Sequence, residues 1–191
     1  MPLDREQDAR SSKAALLALL TTLSYKKGTV TLASGKTSDF FIDCKQTVLT
    51  AEGHALVGEL MAEAFAGESI VAVAGVELGG CPLASAVSVK SAGTNTPLDA
   101  IYVRKETKDH GSQRLVEGGT RLAPNSKIAL LEDVVTTGGS TLKAAEKLKA
   151  AGFVVARVVA IVDRLEGGRE AIEAAGYPFT SLFSRRDFIP D

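Results

Sequence analysis

Ile128-Ala-Leu-Leu-Glu-Asp-Val-Val-Thr-Thr-Gly-Gly-Ser-Thr141 is the stretch that decides the fold. Four apolar residues run into two adjacent carboxylates, a hydroxyl-and-glycine turn follows, and then a helix-like segment begins. This order predicts a buried strand whose carboxyl end delivers acidic groups beside an anion-binding loop. Neighbours on a strand face opposite sides, so Glu132 and Asp133 serve one ligand only at a strand terminus, where both can turn toward it. There they offer acceptors to a pair of ribose hydroxyls. Thr136, Thr137, Gly138, Gly139, Ser140 and Thr141 supply N–H donors and hydroxyls that can surround a phosphate. The glycines let the phosphate approach the backbone closely, and the helix start adds the positive end of its dipole. A sugar phosphate suits this arrangement better than a bare metal ion. The competing reading is a charged, capped βα loop that binds nothing.

Outward from this stretch, the chain alternates strand and helix. Ile70 to Ala74, Leu98 to Val103, Ile128 to Leu131 and Val154 to Val162 read as buried strands. Helices are predicted over 80–91, 140–151 and 166–175. The pattern favours an α/β fold: a central parallel sheet flanked by helices. Ligands of such sheets bind beyond the strand carboxyl ends, which singles out the loops 75–80, 104–119, 132–140 and 163–168. Before this rhythm starts, residues 8–24 read as a helix, and Val30 to Ala33 and Phe40 to Asp43 as short strands about a turn. Residues 50–66 read as a helix that Thr50 can cap, with Glu52 in its first turn. The segment up to about Phe41 is expected to form a small N-terminal flap or hood. The tail from Tyr177 is expected to be irregular, with a short strand near Thr180 to Phe183.

A chain of 191 residues with 45% hydrophobic and 24% charged residues can bury one sizeable core but not two full catalytic domains. A net charge of -1 gives no general attraction to nucleic acid. Cys44 and Cys81 are too few for a disulfide framework and suit a reducing cytosol. No histidine or further cysteine stands near them at zinc-ligand spacing. The acidic Met-Pro-Leu-Asp start is unlike a signal peptide, and no window reaches the roughly 18 continuous apolar residues of a membrane helix. The expectation is a cytoplasmic protein that binds neither nucleic acid nor membrane. Nucleotide-hydrolase motifs fail: Gly35-Lys-Thr37 ends like a P-loop, but Val30 stands where its leading glycine is required. The dinucleotide fingerprint is absent as well.

Residues 128–141 resemble the phosphoribosyl-pyrophosphate signature of the type I phosphoribosyltransferases. Within that group, Tyr102-Val-Arg-Lys-Glu-Thr-Lys-Asp-His-Gly111 resembles the catalytic loop of the orotate phosphoribosyltransferases. Ile161-Val-Asp-Arg-Leu-Glu-Gly-Gly168 and Leu32-Ala-Ser-Gly-Lys-Thr-Ser-Asp-Phe-Phe-Ile-Asp43 are similar to two further segments of that family, in the family's order. The resemblance implies one phosphoribosyltransferase domain over residues 1–191, with residues 1–45 contributing to the hood. It also implies transfer of ribose 5-phosphate to N1 of orotate, with release of pyrophosphate, in de novo pyrimidine (UMP) synthesis. Magnesium would ride on the phosphoribosyl pyrophosphate, with no metal site of the protein's own. Glu132 and Asp133 would hold the ribose hydroxyls, and the loop 136–141 the 5-phosphate. Lys105, Lys108, His110 and Arg104 would reach the pyrophosphate, Lys108 foremost. Arg164 would grip orotate, with Phe40 and Phe41 flanking the base. The family's loop crosses into the partner's site, which implies a homodimer with shared active sites. Two departures stand out: Ala33 and Leu78-Gly79 replace the lysine and Tyr-Lys that many members carry. Lys36, Lys45 and Arg104 are the candidates to restore the missing charge. Two other functions share these features: transfer to another nucleobase, and regulation by sensing phosphoribosyl pyrophosphate.

Single residues carry a bland alternative as well. Lys105 and Lys108 could be solvated charges. His110 lies in a polar run, a poor place for a structural histidine. His54, inside a predicted helix, reads as a helix-surface residue. Alternation at Phe40 and Phe41 would bury one ring and expose the other, and the exposed one is what a base would use.

Overall fold

A computed structural model describes residues 2–31, 37–106 and 114–189. Helix α1 (Pro2–Leu19) starts earlier than the apolar pattern suggests, because a proline is well tolerated in a first helical turn, where its missing N–H costs no bond. The helix then passes into a π-helical turn, Leu20–Ser24. Strands β1 (Tyr25–Thr31) and β2 (Thr37–Ile42) pair antiparallel as a separate two-stranded sheet, with Tyr25 opposite Ile42. This hairpin is the expected flap, though its first strand begins before Val30. Helix α2 (Lys45–Val48) and α3 (Ala51–Glu63) follow. Thr50 caps α3 by accepting the Gly53 N–H at 3.0 Å. On α3, His54 is half-buried, with Nδ1 3.2 Å from the Val48 carbonyl.

The main sheet contains β3 (Ala72–Val76), β4 (Asp99–Val103), β5 (Val116–Gly118), β6 (Lys127–Val135), β7 (Val154–Asp163) and β8 (Phe179–Ser184). Its spatial order is β5-β4-β3-β6-β7-β8. Every neighbouring pair is parallel except β4 with β5. The sheet is therefore mixed, and it differs from the sequence expectation at one edge. The three-residue β5 lies in a run that reads as loop, whereas β8 covers the short strand expected near Thr180 to Phe183 and extends it by one residue at each end. Helices α4 (Gly80–Ser91), α5 (Gly139–Ala150) and α6 (Gly168–Ala174) complete the crossovers. A 3-10 turn, Arg185–Asp187, follows β8.

Strand alternation sorts the core onto two faces. Ala129 and Leu131 of β6 point toward Leu16, Val57, Met61 and Leu83 from α1, α3 and α4. Ile128 and Leu130 point toward Ala144, Leu148 and Ile172 from α5 and α6. The chain passes from β3 outward to β4, then returns to place β6 on the other side of β3. Strand order reverses there, which opens a crevice beyond the carboxyl ends of β3 and β6. Among the described residues no helix is long and apolar enough to cross a membrane.

Candidate active site

Glu132 and Asp133 lie at that crevice, but not as a strand terminus would place them. β6 continues to Val135, so alternation holds through both carboxylates and they face opposite sides of the sheet. Glu132 turns toward α5, where it accepts hydrogen bonds from the Thr141 hydroxyl at 2.9 Å and the Ser140 hydroxyl at 3.4 Å. Asp133 turns toward the start of α4. A Cβ placed on Gly79 would stand 2.2 Å from its Oδ2, so the carboxylate keeps this position only beside a glycine and would have to move for a larger residue. The Val134 N–H donates to Asp133 Oδ1 at 2.9 Å. The expectation that both side chains turn the same way is thus corrected: Val134 and Val135 extend the strand, and the pair straddles its end.

Neither carboxylate is comfortable as an anion. Glu132 is only 5% exposed, and burial first, then the neighbouring Asp133 charge, push its pKa up to about 7. The Thr141 and Ser140 hydroxyls and the nearby Lys105 charge pull the other way, and by less. Burial also raises Asp133, against the Val134 hydrogen bond and the Lys45 charge. Lys45 is itself held by Asp43, Nζ to Oδ1 at 2.5 Å. Two strained carboxylates favour an incoming partner that donates hydrogen bonds or brings positive charge.

The turn after β6 has the form expected of an anion loop. Gly138 adopts a left-handed conformation, φ +79°, as the residue preceding α5. Thr137, Gly139 and Ser140 are exposed and Thr136 is half-buried. The first N–H groups of α5 have no partner within the helix, so this end is suited to a phosphate. The loop rests on the turn after β7: a Cβ on Gly168 would meet the Thr136 carbonyl at 2.6 Å.

That second turn carries Arg164. Its N–H donates to the Val135 carbonyl at 3.0 Å, which sets it beside the end of β6. Its guanidinium pairs with Glu166 at 2.7 Å, donates to the Phe40 carbonyl at 3.3 Å and lies 5.7 Å from the Phe40 ring centre. The alternation expected at the two phenylalanines is present. Phe40 has no exposed surface and packs with Tyr25 and Phe188, whereas Phe41 is half-buried. Phe40 therefore packs against Arg164, and Phe41 is the ring that keeps part of its surface exposed.

The loop after β4 starts at Arg104 and Lys105. The Arg104 N–H donates to Leu115 at 2.9 Å, and its guanidinium stands 3.9 Å from Glu117. The Lys105 N–H donates to Glu77 Oε2 at 3.1 Å. Glu77 and Leu78, joined by a cis peptide, belong to the loop between β3 and α4. Lys108 and His110 lie outside the described residues, as do Ala33 and Lys36. Cys44 and Cys81 are both free, and among the described residues no three His, Cys, Asp or Glu side chains group as a metal site.

Sequence reasoning missed three supports. Asp163, fully buried, accepts the Leu165 N–H at 2.9 Å and pairs with Arg169 at 3.3 Å, fixing the turn that presents Arg164. Its place in the Asp-Arg-x-Glu-x-Gly segment was visible, but its partner was not. Gly79 was visible in a glycine pair whose contact with Asp133 is nonlocal. Lys147 of α5, whose ammonium donates to the Arg104 and Lys105 carbonyls, bears no local signal among the lysines of its helix.

The phosphoribosyl transferase domain family model matches residues 47–176. The orotate phosphoribosyltransferase of Sorangium cellulosum (strain So ce56) is 64% identical over 182 residues, 95% of each chain. A crystal structure of Mycobacterium tuberculosis H37Rv orotate phosphoribosyltransferase with Fe(III) dicitrate is 36% identical and superimposes with a TM-score of 0.81, over 93% of this chain and 99% of that one. Another, of the same bacterium's enzyme with 5-phospho-alpha-D-ribosyl 1-diphosphate, gives 32% identity and a TM-score of 0.77, over 93% and 98%. With a strand-end carboxylate pair, a glycine-turned helix start and an arginine turn meeting at one crevice, this chain belongs to the orotate phosphoribosyltransferase family of type I phosphoribosyltransferases.

Proposed function

We propose that the crevice transfers ribose 5-phosphate from 5-phosphoribosyl 1-pyrophosphate to N1 of orotate, giving orotidine 5'-monophosphate and pyrophosphate. The observation that carries this reading is the pair Glu132, buried, and Asp133, half-buried, at the end of β6 with the glycine turn and the start of α5 just beyond. Glu132 and Asp133, flanking the end of β6 from its two sides, accept from ribose hydroxyls lying across that end, and the backbone of 136–141 with its hydroxyls receives the 5-phosphate. Arg164 takes the carboxylate that orotate alone carries among the common nucleobases, by bidentate pairing in place of Glu166. Phe41 lies against the base.

Bond cleavage at the sugar carbon leaves positive charge on the ribose and negative charge on the departing pyrophosphate. Lys108, with Lys105, His110 and Arg104, opposes that negative charge as it develops. Burial of the reacting centre keeps water from competing with orotate. The donor set fits a magnesium ion brought by the sugar pyrophosphate: two carboxylates raised by burial would gain from a nearby cation. Held near Glu132 and Asp133, such an ion would supply charge neutralisation for the departing pyrophosphate. The working unit is a homodimer in which the loop beginning at Arg104 serves the partner's crevice.

An assay with phosphoribosyl pyrophosphate, magnesium and a panel of bases tests the reading. Orotate should be the preferred acceptor, and Arg164→Leu should raise the KM for orotate at least about tenfold while changing phosphoribosyl-pyrophosphate binding little. A purine preference would assign the crevice to another nucleobase. Equal loss of both affinities would make Arg164 structural. Absent transfer together with salt-sensitive binding to one nucleic acid would favour a regulator instead.

A further inference from the structure

Lys147 on α5 makes an unusual pair of contacts. Its ammonium donates to the Arg104 carbonyl at 2.8 Å and to the Lys105 carbonyl at 2.7 Å. Both are charge-assisted bonds at the short end of their range. Glu77 engages the same stretch from the other side, taking the Lys105 N–H at 3.1 Å while its own N–H donates to Val103 at 2.8 Å. The peptide groups where the chain leaves β4 are thus held by side chains from two separate elements. Both elements belong to the crevice. Glu77 sits in the loop that packs on Asp133 through Gly79. Lys147 stands two turns along α5 from Ser140, on the same helix face, and Ser140 bonds Glu132.

We propose that Lys147 is a positioning residue: it fixes the Arg104–Lys105 backbone, and so sets the place from which Lys105 and Lys108 act on the pyrophosphate. This rests on the role given to Lys108 above. Lys105 is near enough to Glu132 for its charge to be felt there, so a shift of this backbone reaches the reacting centre directly. The helix that receives the 5-phosphate at its start therefore grips, near its end, the segment that serves the leaving group.

Steady-state and single-turnover kinetics of the full-length enzyme test this. Lys147→Met should lower the single-turnover rate and kcat by about tenfold, the scale for losing a charge-assisted positioning bond. The KM values for both substrates should stay within about twofold and the Tm should not move. Lys147→Arg keeps a long cationic donor and should recover most of the rate. Lys149→Met removes a charge from the same last turn of α5 and should behave as wild type, which separates positioning from a helix-dipole effect. In a double-mutant cycle, Lys147→Met added to Lys108→Ala should cost less than it does alone, since one of its two targets is already gone. Wild-type turnover in Lys147→Met, full additivity in the cycle, or a rate loss matched by a lower Tm would each overturn the proposal. A silent Lys108→Ala is a different failure. It removes the role given to Lys108, and the proposal is then judged on Lys105 through the Lys147→Met rate alone.

Discussion

The surroundings of Glu132 disfavour its charged form. Its pKa rises from 4.5 to about 7, with burial as the main cause. A carboxyl raised on folding binds its proton more tightly in the native state. It therefore adds stability fully below about pH 4.5, and that contribution is lost as pH rises through about 7. Glu132→Gln keeps an acceptor for Thr141 and cannot ionise. Relative to wild type, the variant should gain stability from pH 4.5 to 7 and level off above, by up to on the order of 3 kcal/mol. Asp133 is raised in the same direction and remains in both proteins, so it adds no difference between them to first order. Urea unfolding at pH 5 and pH 8 reads the effect, and a pH-independent difference would remove burial as its cause. Transfer activity should be largely lost in the same variant. Stability and activity thus oppose each other at one side chain, as is common where a site holds charge ready for a ligand. The sequence made the identity and adjacency of the two carboxylates plain. What it left open was the direction each one takes, because that depends on where β6 ends. Val134 and Val135, read as part of the 132–140 loop, are β-branched and remain paired with Val162 and Asp163 of β7.

Among the elements, those defined by a local pattern were legible and those defined by a distant partner were not. Helix α4 spans the predicted 80–91 because small and apolar residues there carry the signal along its whole length. Strand β5 has three residues and no alternation of its own. It exists through antiparallel pairing with β4, where Val103 meets Val116. The loop between β3 and α4 depends on nonlocal contacts in the same way, and its glycines separate two effects. A Cβ on Gly75 would lie 2.0 Å from the Gly80 carbonyl, backbone against backbone. Gly75→Ala should therefore destabilise the fold by about 1–3 kcal/mol, the usual cost of overpacking. A Cβ on Gly79 would instead strike the carboxylate of Asp133, a side chain that can move aside. Gly79→Ala should leave the Tm nearly unchanged yet lower kcat/KM by up to about 100-fold, since a displacement near 1 Å at a reacting centre is that costly. Thermal unfolding and kinetics on both variants test the split. A stable, fully active Gly79→Ala enzyme would show that Asp133 has no positional demand.

For the whole molecule, the alternation of strands and helices announced a layered α/β chain but not the order of its strands. That order is set by which strand β6 joins, a pairing far apart in sequence, and it places the crevice. Assembly lies a step further from any local signal. In the proposed homodimer, a competent crevice takes Asp133 from one chain and Lys108 from the other. Lys105 is a poor probe of this sharing, because its charge already acts on Glu132 of its own chain. Lys108 is the better one. Mixing inactive Asp133→Asn protomers with inactive Lys108→Ala protomers, and allowing subunits to exchange, should restore transfer. In each heterodimer one crevice collects both lesions and the other is intact, a consequence of two-fold symmetry. About half the sites of the heterodimer should work, a fraction set by the pairing itself. If the loop serves its own chain, every crevice keeps one lesion and no activity returns. A mixture with heterodimers verified by mass, and with no recovered transfer, would confine each active site to a single chain.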